Sequence, residues 1–431
     1  MHEKQSLTPV GKTDFRNEQI PFFIKDVDRL RHIYAIGKTG VGKSTLLQNM
    51  AISDIQKGKG CCVIDPHDVA EKLLDYVPKE RIQDVIYFNA TDTKHPIAFN
   101  PLYDVASEYR HVVASNLLST FKKIWADSWG PRLEYILHQS LLTLLCHPQA
   151  TLLDIQPLLT NKVYREEILM YVTEPYLKMF WYSEYDKYPP TFRIEAISPI
   201  LNKMGVFITN PILRNIVGQQ GSIDMKDIVD SGKILLCNLS KGAVGEEVSS
   251  LLGSMILSSI QHAVLQRSNQ LEDQRRPFYC YVDEAHNMVN SAIVNILAEA
   301  RKFGLSLFLT HQYLEQLPEN IRSAIFGNVG TIISFQVGNS DAEQLAKEFC
   351  PAFKESDFVN LPKYSMYLKL AIDGVSSKGF SAISLPVAPI FQSYKQEIIA
   401  YSQALFVPTK VPPKPMQSPQ KESTQQSLFD L

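Results

Sequence analysis

Apolar residues along this chain fall into two kinds of run, and the switch between them divides the sequence. Short, nearly continuous apolar runs at 33–36, 61–64, 84–88, 233–237, 278–282, 305–309 and 329–335 are bounded by Gly, Pro, Asp or Asn. Runs of that length and punctuation predict strands buried on both faces. Between them, apolar residues return at helical spacing, from Thr45 to a Gly58-Lys59-Gly60 stop and over 68–76, 246–267, 291–302, 320–326 and 341–349. Strand, helix, strand in this order predicts βαβ units and a parallel sheet. Between about 103 and 215 the strand signals stop, and 112–124, 133–146, 152–159, 165–181 and 195–207 read as helices. The expected fold is α/β, with a central, mostly parallel sheet interrupted by an all-helical insertion.

The ends behave differently. Residues 1–30 are a polar start followed by a short strand-like piece at 20–24, and read as a cap on the core rather than a domain. Residues 366–372 and 378–384 predict a hairpin across Asp373-Gly374. From 405 onward prolines accumulate and apolar residues thin out, as in a disordered or extended tail. The expected organisation is thus a cap at 1–30, core at 31–102, insertion at 103–215, core again at 216–404 and tail at 405–431. The charged run 272–276 reads as a solvated loop, and 238–245 as a polar turn. Trp125 and Trp129, at the entry to the insertion, fit packed positions better than nucleic-acid platforms.

Composition narrows the function classes. Of 431 residues, 45% are hydrophobic and 20% charged, as in folded globular proteins. The net charge of -2 argues against a broad external nucleic-acid face, but not against a narrow basic channel in a ring. Six scattered cysteines, with no C-x-x-C pair, read as reduced thiols rather than a metal site. No signal-like start is present, and no uninterrupted run approaches the roughly 18 apolar residues of a spanning helix. The expectation is a cytoplasmic protein, brought to a membrane or a replication site only by a partner.

The chemistry begins where the 33–36 strand meets Gly37-Lys-Thr-Gly-Val-Gly-Lys-Ser-Thr45, which fits the phosphate-loop pattern G-x-x-x-x-G-K-[ST]. Gly37, Gly40 and Gly42 let the N–H groups of the loop, with Thr39 and Val41 between them, turn inward on phosphate. Lys43 would bridge the β- and γ-phosphates of ATP, Ser44 would hold Mg²⁺, and Thr45 opens the helix. Asp283, at the end of the 278–282 run, supplies the second Mg²⁺ anchor. Glu284 beside it can polarise an attacking water, which favours hydrolysis over transfer. Gln312 closes the next strand, either as a sensor of the terminal phosphate or as a plain cap. Arg301 stabilises a helix C-terminus or completes a neighbouring subunit's site. Asp65 either faces the nucleotide or caps a turn.

These segments together resemble the HerA/FtsK class of ring-forming DNA translocases, and within it the branch of type IV secretion (TraG/TraD-like) coupling proteins and their soluble relatives. The resemblance runs from about 20 to 395. It rests on 32–44, Val63-Ile-Asp-Pro-His67, Ser128-Trp-Gly-Pro-Arg-Leu-Glu134, Asn238-Leu-Ser-Lys-Gly242, Val282-Asp-Glu-Ala-His286, Ala300-Arg-Lys-Phe-Gly304, His311-Gln312 and 327–331. It implies a RecA-like P-loop NTPase core with a helical insertion, assembled as a hexamer around DNA. By position, Lys43 and Ser44 bind nucleotide and Mg²⁺, and Asp283 and Glu284 are the Walker B pair. Gln312 is then the phosphate sensor and Arg301 the finger acting in trans. The chain departs from the pattern at Asp68-Val69 and at Gln336, and it lacks the transmembrane start of coupling proteins.

In the tail, Gln425-Gln-Ser-Leu428-Phe429 resembles the peptide that docks into the bacterial sliding clamp. The leading expectation is an ATPase that drives DNA through a ring. A secretion ATPase acting on proteins, and a nucleotide-gated scaffold in a defence or partitioning complex, are the alternatives.

Overall fold

A computed structural model describes residues 6–406 apart from 15, 17 and 291. In chain order its strands are β1 (Leu7–Thr13), β2 (Pro21–Lys25), β3 (Ile33–Ile36), β4 (Gly60–Asp65), β5 (Val85–Asn89), β6 (Ile234–Asn238) and β7 (Phe278–Val282). There follow β8 (Leu305–His311), β9 (Thr331–Ser334), β10 (Ser365–Lys369), β11 (Ala371–Ile372), β12 (Val375–Ser376) and β13 (Phe380–Ser384). Eleven of them form one sheet in the order β2-β1-β13-β10-β9-β3-β8-β7-β4-β6-β5. From β9 to β5 every neighbouring pair is parallel; from β9 outward to β2 every pair is antiparallel.

The parallel strands are apolar throughout because both their faces are covered. Every residue of β3, β4, β7 and β8 is buried, whereas β10 alternates buried and half-buried positions. Alternation within β4 sorts the two cores. Cys61 and Val63 join the helix Lys43–Gln56 on one face, through Leu46, Leu47 and Met50. Cys62 and Ile64 point to the other, against the helix Glu246–Leu265. That second core runs without a break into the insertion, where Ile136, Leu137, Trp181, Ile200 and Phe207 are its buried centre.

The insertion is helical, from Arg110–Ile124 through Pro131–Leu144 to Pro190–Thr209, with shorter helices between. Trp125 and Trp129 are partly buried and packed, their indole N–H groups donating to Glu247 and Glu134. The stretch Glu246–Asn269 has the length and mean hydropathy (1.4) of a membrane-crossing helix, although small and polar residues interrupt its apolar run. Since 83% of that apolar window is buried, it is the central helix of the core.

Three local expectations are corrected. The N-terminal segment is not a cap laid on the core. Its strands β1 and β2 extend the main sheet, and β1 passes so close to β13 that a Cβ at Gly11 would stand 2.8 Å from Ile383 O. The strand-like piece 20–24 is β2, with Ile24 in the core, and β1 beside it buries Val10. Nor is 272–276 simply solvated: Arg275 donates to Gln270 O and Lys302 O, and Arg276 to Ser231 O and Gly58 O. The polar turn after β6 contains a short helix, Lys241–Val244.

A buried ion pair ties the N-terminal strands to the core. Arg29 bonds Asp54 with both terminal nitrogens at 2.7 Å, donates to Tyr281 Oη, and lies 3.8 Å over the Tyr279 ring. Burial alone would raise the carboxyl of Asp54, but the Arg29 charge and hydrogen bonds outweigh it and hold the pKa below the usual range.

Candidate nucleotide site

The C-terminal ends of β3, β7 and β8 meet at one rim of the parallel sheet, where open α/β sheets place ligands. At the end of β3 the chain turns through Gly40 (φ 78°) and Gly42 (φ 126°), values that a side chain tolerates poorly. The crown, 38–40, is exposed, while Val41, Gly42 and Lys43 are buried. Lys43 folds back over the loop, its ammonium donating to Gly37 O at 2.5 Å and Lys38 O at 2.9 Å. Burial lowers its pKa, and the nearby Glu284 and Asp283 charges work against that.

Ser44 Oγ donates to Asp283 Oδ2 at 3.0 Å. The other oxygen of Asp283 accepts from the Thr310 hydroxyl and from Glu284 N. The phosphate loop, the acid after β7 and the end of β8 are thereby joined around one carboxylate that is 1% exposed.

Glu284 adopts a left-handed backbone (φ 49°) and is buried. Its Oε1 accepts from Gln312 Nε2 at 3.0 Å, so the two residues singled out from adjacent strands do meet. Its Oε2 has no hydrogen-bond donor and stands 3.4 Å from His286 Nδ1. Burial pushes His286 down to about 4, with Lys241 and Lys123 adding to the shift, so the ring is neutral near pH 7 and does not balance the carboxylate. A buried oxygen without a donor is costly, and folded chains keep one where water or substrate supplies the partner.

The surroundings hold these groups still. Gln316 Oε1 accepts from the backbone N–H of Gln312 and Tyr313, while its amide nitrogen is 3.2 Å from His286 Nε2. His311, completely buried, is bonded to Tyr34 Oη, and burial pushes its pKa down to about 3. Sequence alone gives neither Gln316 nor His286 a role, although His286 lies inside the Val282–His286 motif.

Asp65 is completely buried at the end of β4 and accepts from the backbone N–H of His67 and Ala70. Of its two open roles, this geometry is the capping one. Burial raises its pKa to about 6, and the Asp283 charge adds to the rise.

Arg301 is exposed on the turn Ala300–Phe303, far from the rim. Its charge acts on His32, the residue just before β3, whereas Lys43 lies beyond the other end of that strand. At about 3.3 Å of rise per residue, the four residues of β3 alone separate the two edges by on the order of 13 Å. Arg301 does not join this site.

The contacts between the insertion and this site are not legible in the sequence. Lys123, from the insertion, reaches across to donate to His286 O at 2.8 Å, and Asn290 bonds Thr120 of the same helix. Burial pushes the Lys123 ammonium down to about 7. No local pattern could announce a bond across such a distance in sequence. Gln425, Leu428 and Phe429 of the clamp-like peptide lie outside the described residues.

No protein-family model and no curated protein matches the sequence. Solved structures do match its fold. The unbound bacterial conjugative coupling protein TrwB superposes with a TM-score of 0.63 at 14% identity, over 90% of each chain. The plasmid coupling protein TrwB in complex with ADP and Mg²⁺ gives 0.62 at 14% identity, over 85% of this chain and 88% of that one. VirB4 of Thermoanaerobacter pseudethanolicus gives 0.59 at 13% identity, over 92% and 99%. The chain therefore has the fold that its motifs implied, a RecA-like P-loop NTPase core interrupted by a helical insertion, and shares its overall fold with the conjugative coupling protein TrwB.

Proposed function

We propose that this protein is an Mg²⁺-dependent ATPase that works as a ring, a hexamer, and drives DNA through it. The observation that carries the reading is the convergence at the rim. Ser44 and Asp283 form a hydroxyl–carboxylate pair 3.0 Å apart, and Glu284, held by Gln312, keeps one buried oxygen without a donor. Hard oxygen donors of this kind suit Mg²⁺, so Ser44 and Asp283 are the residues that would hold it, where it would neutralise charge on the phosphates.

The chain's own groups account for the remaining requirements. Lys43, now satisfied by two loop carbonyls, exchanges them for phosphate oxygens. The loop N–H groups and the first turn of the helix bind the same anion. Glu284 Oε2 accepts a hydrogen bond from the attacking water and orients it. Gln312, bonded to the other oxygen, fixes the carboxylate and reports on the terminal phosphate. The opposite-edge position of Arg301 supports a role across a subunit boundary, in a neighbour's site. TrwB, described as a conjugative coupling protein and crystallised with ADP and Mg²⁺, shares the fold and supports the nucleotide and the DNA-transfer setting.

The test is ATP turnover with and without duplex and single-stranded DNA. Turnover should rise with DNA and vanish in Lys43→Ala. Arg301→Ala and Lys43→Ala, each inactive alone, should regain part of the activity when mixed, because a mixed ring contains interfaces with both residues intact. Turnover indifferent to any DNA, or no recovery on mixing, counts against the motor.

A further inference from the structure

Two non-glycine residues in the left-handed region stand beside the phosphate loop. One is Glu284. The other is Tyr364 (φ 67°), just ahead of β10. Two backbone bonds hold it in that conformation: its N–H donates to Val41 O at 2.8 Å, and its carbonyl accepts from Ser384 N at 2.9 Å. The ring is pressed against the loop, with Cδ1 3.0 Å from where a Cβ on Gly42 would sit. Yet the residue is 41% exposed, and Lys363 Nζ lies 4.9 Å from the ring centroid. A large aromatic side chain, rigidly tied to the residue two places before Lys43 and still open to solvent, serves no purpose in the core.

Its side of the loop matters. β3 lies between β8 and β9; Asp283 and Glu284 follow β7, beyond β8, while Tyr364 precedes β10, beyond β9. A triphosphate held at Lys43 and Ser44, with its terminal phosphate toward Glu284, runs its nucleoside end toward β9 and β10. The Tyr364 ring stands on that side of the loop. Ser384 Oγ, buried and without a hydrogen-bond partner, is 3.5 Å from the same Gly42 position. Asn49, on the helix that follows the phosphate loop, donates to Leu385 O at 2.7 Å and locks the end of β13 to that helix.

We propose that Tyr364 is the platform on which the nucleotide's base stacks, with Ser384 placed to hydrogen-bond the sugar. This rests on the nucleotide reading of the phosphate loop and adds the second half of that site. Stacking on an aromatic face accepts any base but gains more from a larger one, so purine nucleotides are favoured over pyrimidine ones.

The test is calorimetric binding of ADP, UDP and pyrophosphate, each with Mg²⁺, to the full chain. Tyr364→Gly removes the ring at a φ that glycine accepts, and Tyr364→Asn repeats the test with a residue that also tolerates it. Tyr364→Phe keeps the ring. Tyr364→Gly and Tyr364→Asn should bind ADP about tenfold more weakly and bind pyrophosphate as the unmodified chain does. Their preference for ADP over UDP should shrink, and Tyr364→Phe should behave as the unmodified chain. Undiminished ADP affinity in Tyr364→Gly overturns the platform alone. So does a parallel loss of ADP and pyrophosphate, which would make Tyr364 a prop for the loop. An unmodified chain that binds none of the three overturns the nucleotide site, and the platform with it.

Discussion

Glu284→Gln isolates the one oxygen on which the hydrolytic reading turns. The substitution preserves size and the contact with Gln312 Nε2, at 3.0 Å in the parent, since an amide oxygen accepts as the carboxylate did. What disappears is the negative charge and the acceptor strength of Oε2, the buried oxygen with no donor. Orienting and deprotonating groups of this kind contribute about 10²–10⁴ in rate, equal to roughly 3–5 kcal/mol of barrier. Binding should move the other way. With Glu284 neutral, one repulsive charge near the terminal phosphate is gone, so the affinity for ATP holds or rises. The predicted signature is a kcat at least about a hundredfold lower with Kd for ATP unchanged or smaller. Asp283→Asn gives the contrast: it weakens the carboxylate that gathers Ser44, Thr310 and Glu284 N, so Mg²⁺-dependent affinity falls together with kcat. Single-turnover hydrolysis of labelled ATP, alongside equilibrium binding, separates the two variants. A Glu284→Gln protein keeping more than about a tenth of the parent rate would refute the assignment of that oxygen.

Three further outcomes follow from contacts elsewhere. Lys123→Met keeps the buried stem and removes the bond to His286 O; kcat should fall several-fold with ATP affinity held, and stability should drop by about 1–3 kcal/mol in denaturant unfolding. Asp54→Ala strands the buried Arg29 guanidinium and should cost about 3–5 kcal/mol by the same measurement, with the pair's own contribution lost only in acid, as pH falls through the depressed carboxyl pKa. Between about pH 6.5 and 4 the chain should lose stability as pH falls. His32, His286 and His311 stay neutral in the fold, with pKa values near 4, 4 and 3, while the unfolded chain takes up their protons. Asp65, raised to about 6, binds a proton in the fold over the same range and offsets one of the three. Denaturant midpoints at pH 7.5 and 5 check the slope, and a flat profile would contradict the burial of these rings.

Much of the architecture was legible because its signals are local. A strand covered on both faces must be apolar along its whole length, so 33–36, 61–64 and 278–282 are recognisable as strands from their own residues. The phosphate loop is legible for a similar reason. Its glycines answer to backbone angles, 78° and 126° at Gly40 and Gly42, which few other residues adopt. An acid pair closing a buried strand is likewise a pattern within a few residues.

What the tertiary structure alone decided are relations between distant segments. The sheet order puts β8 between β3 and β7, and only that order brings Gln312 to Glu284 and leaves Arg301 at the far edge. The strand-like piece at 20–24 becomes β2, but β1, whose run carries a proline, a glycine and few apolar residues, is drawn into the sheet by backbone pairing that no local pattern announces. Lys123 at His286 and Tyr364 at Gly42 are contacts across much of the chain. Periodicity and backbone preference are properties of neighbours along the chain, whereas a site is assembled from neighbours in space, and packing is what selects those.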